Sequence, residues 1–191
     1  MKKILLIIIL FFGSLVSLNA ETKRIVSGNE NAKIIIIAYE SLTCSHCANF
    51  HKDVYPQLKK DYIDTGLAKI EFRHFPLDIA AFNASKIAQC KEDQSLEILK
   101  SLYSNQQAWV KGNTADEVND HLKKFIKKEG FKLDFDKCIN NKDIEDFVLN
   151  DRIEEAKKFK IDATPTIIIN NEKFEKSLNY KNLKKSLEKL I

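Results

Sequence analysis

The chain has 191 residues, 44% hydrophobic and 30% charged, with only five Gly and three Pro. That is the make-up of one well-cored globular domain, or of one core with a sizeable insertion, and it argues against long flexible linkers. The net charge of +4 counts Lys2 and Lys3 at the N-terminus, and the other basic residues are scattered among Asp and Glu; such a balance is too weak to suggest a nucleic-acid partner.

Residues 1–20, MKKILLIIILFFGSLVSLNA, start basic, continue apolar from Ile4 to Phe12 and end on the small Ala20. This is the layout of a secretory signal peptide, with cleavage expected after Ala20 although Leu18 at the minus-three position is larger than ideal. An uncleaved membrane anchor is the competing reading, with an apolar stretch short for a span. No cysteine stands near the end of the segment to carry a lipid. On either reading the rest of the chain leaves the cytosol, where disulfides can form and persist. Residues 21–33 read as a polar lead-in with a turn at Ser27-Gly28-Asn29.

The β-branched run Ile34 to Ile37 predicts a buried strand, followed by a polar turn from Glu40 to Thr43. Cys44-Ser45-His46-Cys47 then opens a segment with helical spacing at Cys47, Phe50, Val54 and Leu58. A C-x-x-C pair at a strand-to-helix junction is a redox signature. Free backbone N–H groups and the macrodipole at a helix start favour negative charge. Cys44 is therefore expected as the reactive thiolate, with His46 as a donor or cation beside it and Cys47 more buried, one turn in. The alternative is half of a zinc site, for which His51 and His74 are the only nearby partners. The pair alone does not distinguish oxidation, reduction and isomerisation.

Asp64-Thr65-Gly66 ends the helix. Residues 67–75 alternate as a second strand, parallel to the first, which Pro76 ends. From 79 to 160 apolar residues recur at helical spacing, with breaks near Gly112 and Gly130 and a capping box from Thr114 to Glu117; four or five packed helices are expected. Ile167 to Asn170 predicts a short strand that turns at Asn170-Asn171 into Glu172 to Lys176, and 180–191 predict a final amphipathic helix. Phe50, Tyr55, Phe72 and Phe75 read as core, Trp109 as a cap of the insert against the sheet, His51 as a half-exposed structural histidine, and His74 and His121 as structural.

The C-S-H-C motif, Thr164-Pro165-Thr166 and the helical insert between them resemble the DsbA-like thiol:disulfide oxidoreductases of the thioredoxin superfamily. The resemblance covers residues 30–190, with echoes in 73–77, in Asn105-Gln106 to Trp109, and in 163–170. It implies an α/β thioredoxin fold with an inserted helical domain. The expected division is 1–20 signal peptide, 21–78 first half of the thioredoxin fold, 79–160 insert and 161–191 second half. It also implies catalytic Cys44, Cys47 and His46, with a cis bond before Pro165 that sets Thr164 beside the sulfurs, where its backbone can pair with an extended substrate.

The implied role is a periplasmic oxidase, monomeric and with no cofactor or metal. It would act on reduced, unfolded exported proteins and be reoxidised by a membrane reoxidase of the DsbB type. A disulfide isomerase or reductase, a metal-binding thiol protein and a redox-inert binding module are the alternatives. Four cysteines allow three pairings; with Cys44 and Cys47 as the exchange pair, Cys90–Cys138 is the remainder, and some DsbA-like proteins carry such a bridge in the insert. Two unpaired buried thiols are the alternative. The chain departs from the family twice. No proline precedes His46, and the buried acid many relatives carry six residues before the first cysteine is here Ala38. A glutamate stands instead at Glu40, expected as an exposed loop acid.

Overall fold

A computed structural model describes residues 22–191. The expected signal peptide lies outside the described residues. Among these, no helix is long and apolar enough to cross a membrane.

The frame is a five-stranded mixed sheet flanked by helices, the thioredoxin fold with a helical insert. Its strands are β1 (Ile25–Gly28), β2 (Ile34–Glu40), β3 (Ala68–His74), β4 (Thr166–Ile169) and β5 (Glu172–Lys173), in the order β1-β3-β2-β4-β5. Only β2 and β3 run parallel, with Ile36 opposite Ile70. β2 is buried from both sides. Ile34, Ile36 and Ala38 join the main core, while Ile37 and Tyr39 join Phe75, Ala156 and Ile168 on the opposite face. Both sets follow from the two-residue repeat of a strand.

Between β2 and β3 lies α1 (45–63), in which α-helical turns alternate with wider π-helical turns at Phe50–Val54 and Lys59–Ile63. The first wide turn precedes Pro56, which has no N–H to close an ordinary helical bond; an inserted wide turn accommodates it. The insert contains α2 (Ile79–Gln89), α3 (Ser95–Ser104), α4 (Gln106–Trp109), α5 (Ala115–Lys128), α6 (Phe135–Ile139) and α7 (142–158). After β5, α8 (Tyr180–Leu187) closes the chain.

Three expectations are corrected. The lead-in contains β1, paired antiparallel with β3 from Ile25 opposite Phe72 to Gly28 opposite Lys69. The insert has six helices rather than four or five. Asn105 separates α3 from α4, and Asn141 starts a new helix by accepting the Ile144 N–H at 3.1 Å. The strand expected from Ile34 to Ile37 runs on through Glu40, the first residue of the expected turn.

The remaining local signals correspond to elements. Thr114 caps α5 by accepting the Glu117 N–H at 3.2 Å, while the Glu117 carboxylate takes the Asn113 N–H at 2.6 Å. Asn170 and Asn171 both adopt positive φ, 47° and 69°, in the hairpin between β4 and β5, a conformation Asn tolerates better than most residues. Trp109 is fully buried in the main core and donates from Nε1 to the Leu102 carbonyl at 2.9 Å.

Candidate active site

β2 delivers the chain to a loop fixed at several points. The Cys44 N–H donates to the Ser41 carbonyl at 3.0 Å, and Thr43 Oγ1 donates to Asp78 Oδ2 at 2.7 Å. Asp78 also caps α2 through the Ala81 N–H. From the insert, Gln106 Nε2 donates to the carbonyls of Leu42 at 2.7 Å and Cys44 at 3.0 Å. The helical insert thus holds the loop that presents the cysteines.

Cys44 occupies the N-cap of α1 and is half-buried; Cys47, one turn in, is fully buried, and both are free thiols in this structure. The Thr164–Pro165 peptide is cis. The Cys44 thiol donates to the Thr164 carbonyl at 3.4 Å across 120 residues of sequence. Burial pushes the Cys47 thiol far up from its ordinary value of 9.0, and the neighbouring Glu40 charge pushes it further. The two cysteines are therefore unlike: one within reach of a partner, one enclosed and held protonated.

His46 is exposed and lines a groove of about 520 Å³ with Asn49, Phe50, Thr164, Pro165 and Leu178. Cys90 and Cys138 lie apart from this groove, at the ends of α2 and α6, joined by a disulfide with Cα atoms 5.5 Å apart. His74 is buried, with Nε2 3.0 Å from Gln89 Oε1; burial lowers its pKa from the ordinary 6.5. Among the described residues, no three of His, Cys, Asp and Glu gather in an arrangement that could hold a metal ion.

Glu40 is not an exposed loop acid. It is the last residue of β2, on the same face as Ile36 and Ala38, and so points into the main core. There its Oε2 lies 2.8 Å from Nε2 of His51, whose ring stacks on Tyr103 with centroids 4.1 Å apart. The side chain of His51 is correspondingly buried rather than half-exposed. Two signals in the sequence point to this pair: Glu40 keeps the face of the apolar positions two and four residues before it, and His51 follows Cys47 by one helical turn.

A family model described as Thioredoxin matches residues 20–189. The crystal structure of Wolbachia pipientis alpha-DsbA1 superposes with a TM-score of 0.76 at 31% identity, covering 87% of this chain and 90% of that one. The chain belongs to the DsbA-like family of the thioredoxin superfamily. Another relative of this DsbA-like chain is disulfide bond formation protein D of Bacillus subtilis, 26% identical over 174 residues, 86% of this chain and 75% of that protein. A Rickettsia prowazekii protein, provisionally named a protein-disulfide oxidoreductase, is 27% identical over 180 residues. The match takes in 92% of the DsbA-like chain but 64% of the rickettsial one, and a Rickettsia conorii counterpart is matched over 56% of its length.

Proposed function

We propose that this chain is an exported thiol:disulfide oxidase that passes its Cys44–Cys47 disulfide to cysteine pairs of folding proteins. The observation that carries this reading is the asymmetry of the two sulfurs: a reachable Cys44 at a helix start beside the Thr164 carbonyl, and a fully buried Cys47 behind it.

In the oxidised enzyme a substrate thiolate attacks Cys44 Sγ. The Cys44–Cys47 bond breaks, Cys47 takes the electron pair, and a mixed disulfide joins substrate and Cys44. A second substrate thiolate then attacks its own bound sulfur, and Cys44 leaves as a thiolate, favoured there by the helix start. Thr164 and Pro165 form the edge against which an extended substrate segment aligns, and His46 borders the same groove. No prosthetic group takes part in the exchange.

The leader-like residues 1–20 support delivery to the periplasm. There the substrates are reduced, unfolded exported proteins and the electrons leave through a membrane reoxidase of the DsbB type, with the enzyme acting as a monomer. Residues 21–78 and 161–191 supply the redox fold and 79–160 the insert that braces it.

The test is equilibration of the Cys44–Cys47 pair with glutathione buffers, together with oxidative refolding of reduced ribonuclease. An oxidising potential with refolding activity is expected. A potential near that of thioredoxin, about −270 mV, would refute the oxidase assignment in favour of a reductase.

A further inference from the structure

Two clefts flank the first turns of α1, and they carry unlike charge. The groove beside Thr164 and Pro165 is lined on its helix side by His46, Asn49, Phe50 and Asp53. These four stand three, four and seven residues after the first of them, the spacing of one helix face. On the insert side, a cleft of about 570 Å³ takes Lys52 instead, with Gln106 and Gln107. Consecutive helix residues point about 100° apart, which is how adjacent opposite charges reach different clefts.

Asp53 is exposed, and it is the one acidic side chain lining its groove, which no Lys or Arg lines. Its helix neighbours three and four residues away are Asn49, Phe50, Pro56 and Gln57, none of them a cation. Gln57 donates to the Asp53 backbone carbonyl at 2.8 Å, not to the carboxylate. The groove is otherwise largely apolar, with Phe50, Val54, Pro165 and Leu178. Low-dielectric walls focus the field of a charge, so this carboxylate draws a cation more strongly than one on an open surface.

We propose that Asp53 selects substrates, favouring segments that carry a lysine or arginine a fixed distance from the cysteine joined to Cys44. This deepens the disulfide-exchange reading and rests on it. The distance follows from the helix. Asp53 lies nine residues beyond Cys44, about 13 Å along a helix rising 1.5 Å per residue. An extended segment aligned on Thr164 advances about 3.3 Å per residue, so it spans that length in about four residues. A basic side chain at that position, on one flank of the cysteine only, meets the carboxylate. An acidic one there is repelled.

The experiment uses reduced protein and model peptides whose single cysteine carries a thionitrobenzoate group. The Cys44 thiolate attacks the peptide sulfur, the mixed disulfide forms, and the aryl thiolate leaves with the electron pair and is read by its absorbance. The peptides place Lys, Gln or Glu at each of positions two to six on either flank. Lysine near the fourth position of one flank is expected to react about two- to fivefold faster than glutamate there, the scale of an exposed ion pair. Asp53→Asn is expected to equalise the two peptides and Asp53→Lys to reverse their order, while Lys52→Gln leaves the preference in place. High salt is expected to erase it.

Equal rates for the lysine and glutamate peptides at every position, or a preference that persists in Asp53→Asn, would overturn the proposal. A merely structural Asp53 would not reverse the order on charge reversal; if Asp53→Lys does not fold, Asp53→Asn decides. The reaction needs only a Cys44 thiol and a bound peptide. A reducing potential for the Cys44–Cys47 pair would therefore defeat the oxidase reading without altering this ratio.

Discussion

Gln106, in the insert, donates from one nitrogen to the carbonyl of Cys44, 62 residues earlier, and to that of Leu42. A single side chain thus couples the helical insert to the loop that carries Cys44. Gln106→Ala leaves two loop carbonyls without that donor, which costs about 1–3 kcal/mol. The expected outcome is a lower melting temperature together with slower exchange at Cys44, read by calorimetry and by glutathione kinetics. Unchanged exchange in a destabilised protein would show that the bonds serve cohesion only.

Alkylation distinguishes the two cysteines directly. Burial and the Glu40 charge hold Cys47 protonated, whereas Cys44 reaches the surface. With iodoacetamide between pH 7 and 8, mass spectrometry of the folded reduced protein is expected to find label on Cys44 and none on Cys47. Cys47→Ser is expected to accumulate the mixed disulfide with a substrate thiol, and Cys44→Ser to abolish exchange.

The Cys90–Cys138 bridge closes a loop across a separation of 48 residues. On the chain-entropy account such a cross-link stabilises by about 4 kcal/mol. The double variant Cys90→Ala, Cys138→Ala is expected to unfold at markedly lower denaturant while Cys44 keeps its reactivity. An unchanged midpoint would contradict the structural role.

His74 gives a pH dependence with a defined sign. Burial lowers its pKa in the folded state below the ordinary 6.5, so in that window the unfolded chain binds the proton and the folded one does not. Stability is therefore full above the ordinary imidazole value and falls as pH drops through it, by at most about 1.4 kcal/mol per pH unit for one proton. His74→Gln is expected to flatten the slope of unfolding free energy between pH 7 and 5. An unaltered slope would assign it to other groups.

Asp151 is fully buried at the start of the π-helical turn Asp151–Glu155 within α7, where it takes the His74 backbone N–H at 3.1 Å and pairs with Arg24 just before β1. Asp151→Ala leaves the His74 N–H without this acceptor and Arg24 with Glu71 as its remaining ion-pair partner, and a buried donor left unsatisfied costs about 1–3 kcal/mol. Chemical denaturation is expected to show a loss of that size, and a loss below 1 kcal/mol would count against the clamp.

Much of this architecture can be read from residue order because the relevant signals are local. The isoleucine run, the C-x-x-C pair, Thr114 before Glu117 and the two asparagines of the hairpin each act within a few positions. β1 escapes such a reading because only Ile25 and Ser27 face inward in a stretch of four, and its partner β3 lies more than forty residues on. Glu40 escapes because a carboxylate next to Ser and Thr suggests a solvated turn. What buries it is the alternation inherited from Ile36 and Ala38, together with a histidine eleven residues later.

The cis Thr164–Pro165 peptide stands at the entry to β4, whereas β2, the strand that β4 joins, precedes it by more than a hundred residues. A polypeptide made from its N-terminus therefore presents its C-x-x-C segment long before the wall of the groove has been synthesised. Cys44 therefore acquires the carbonyl beside it only after a further 120 residues have been made.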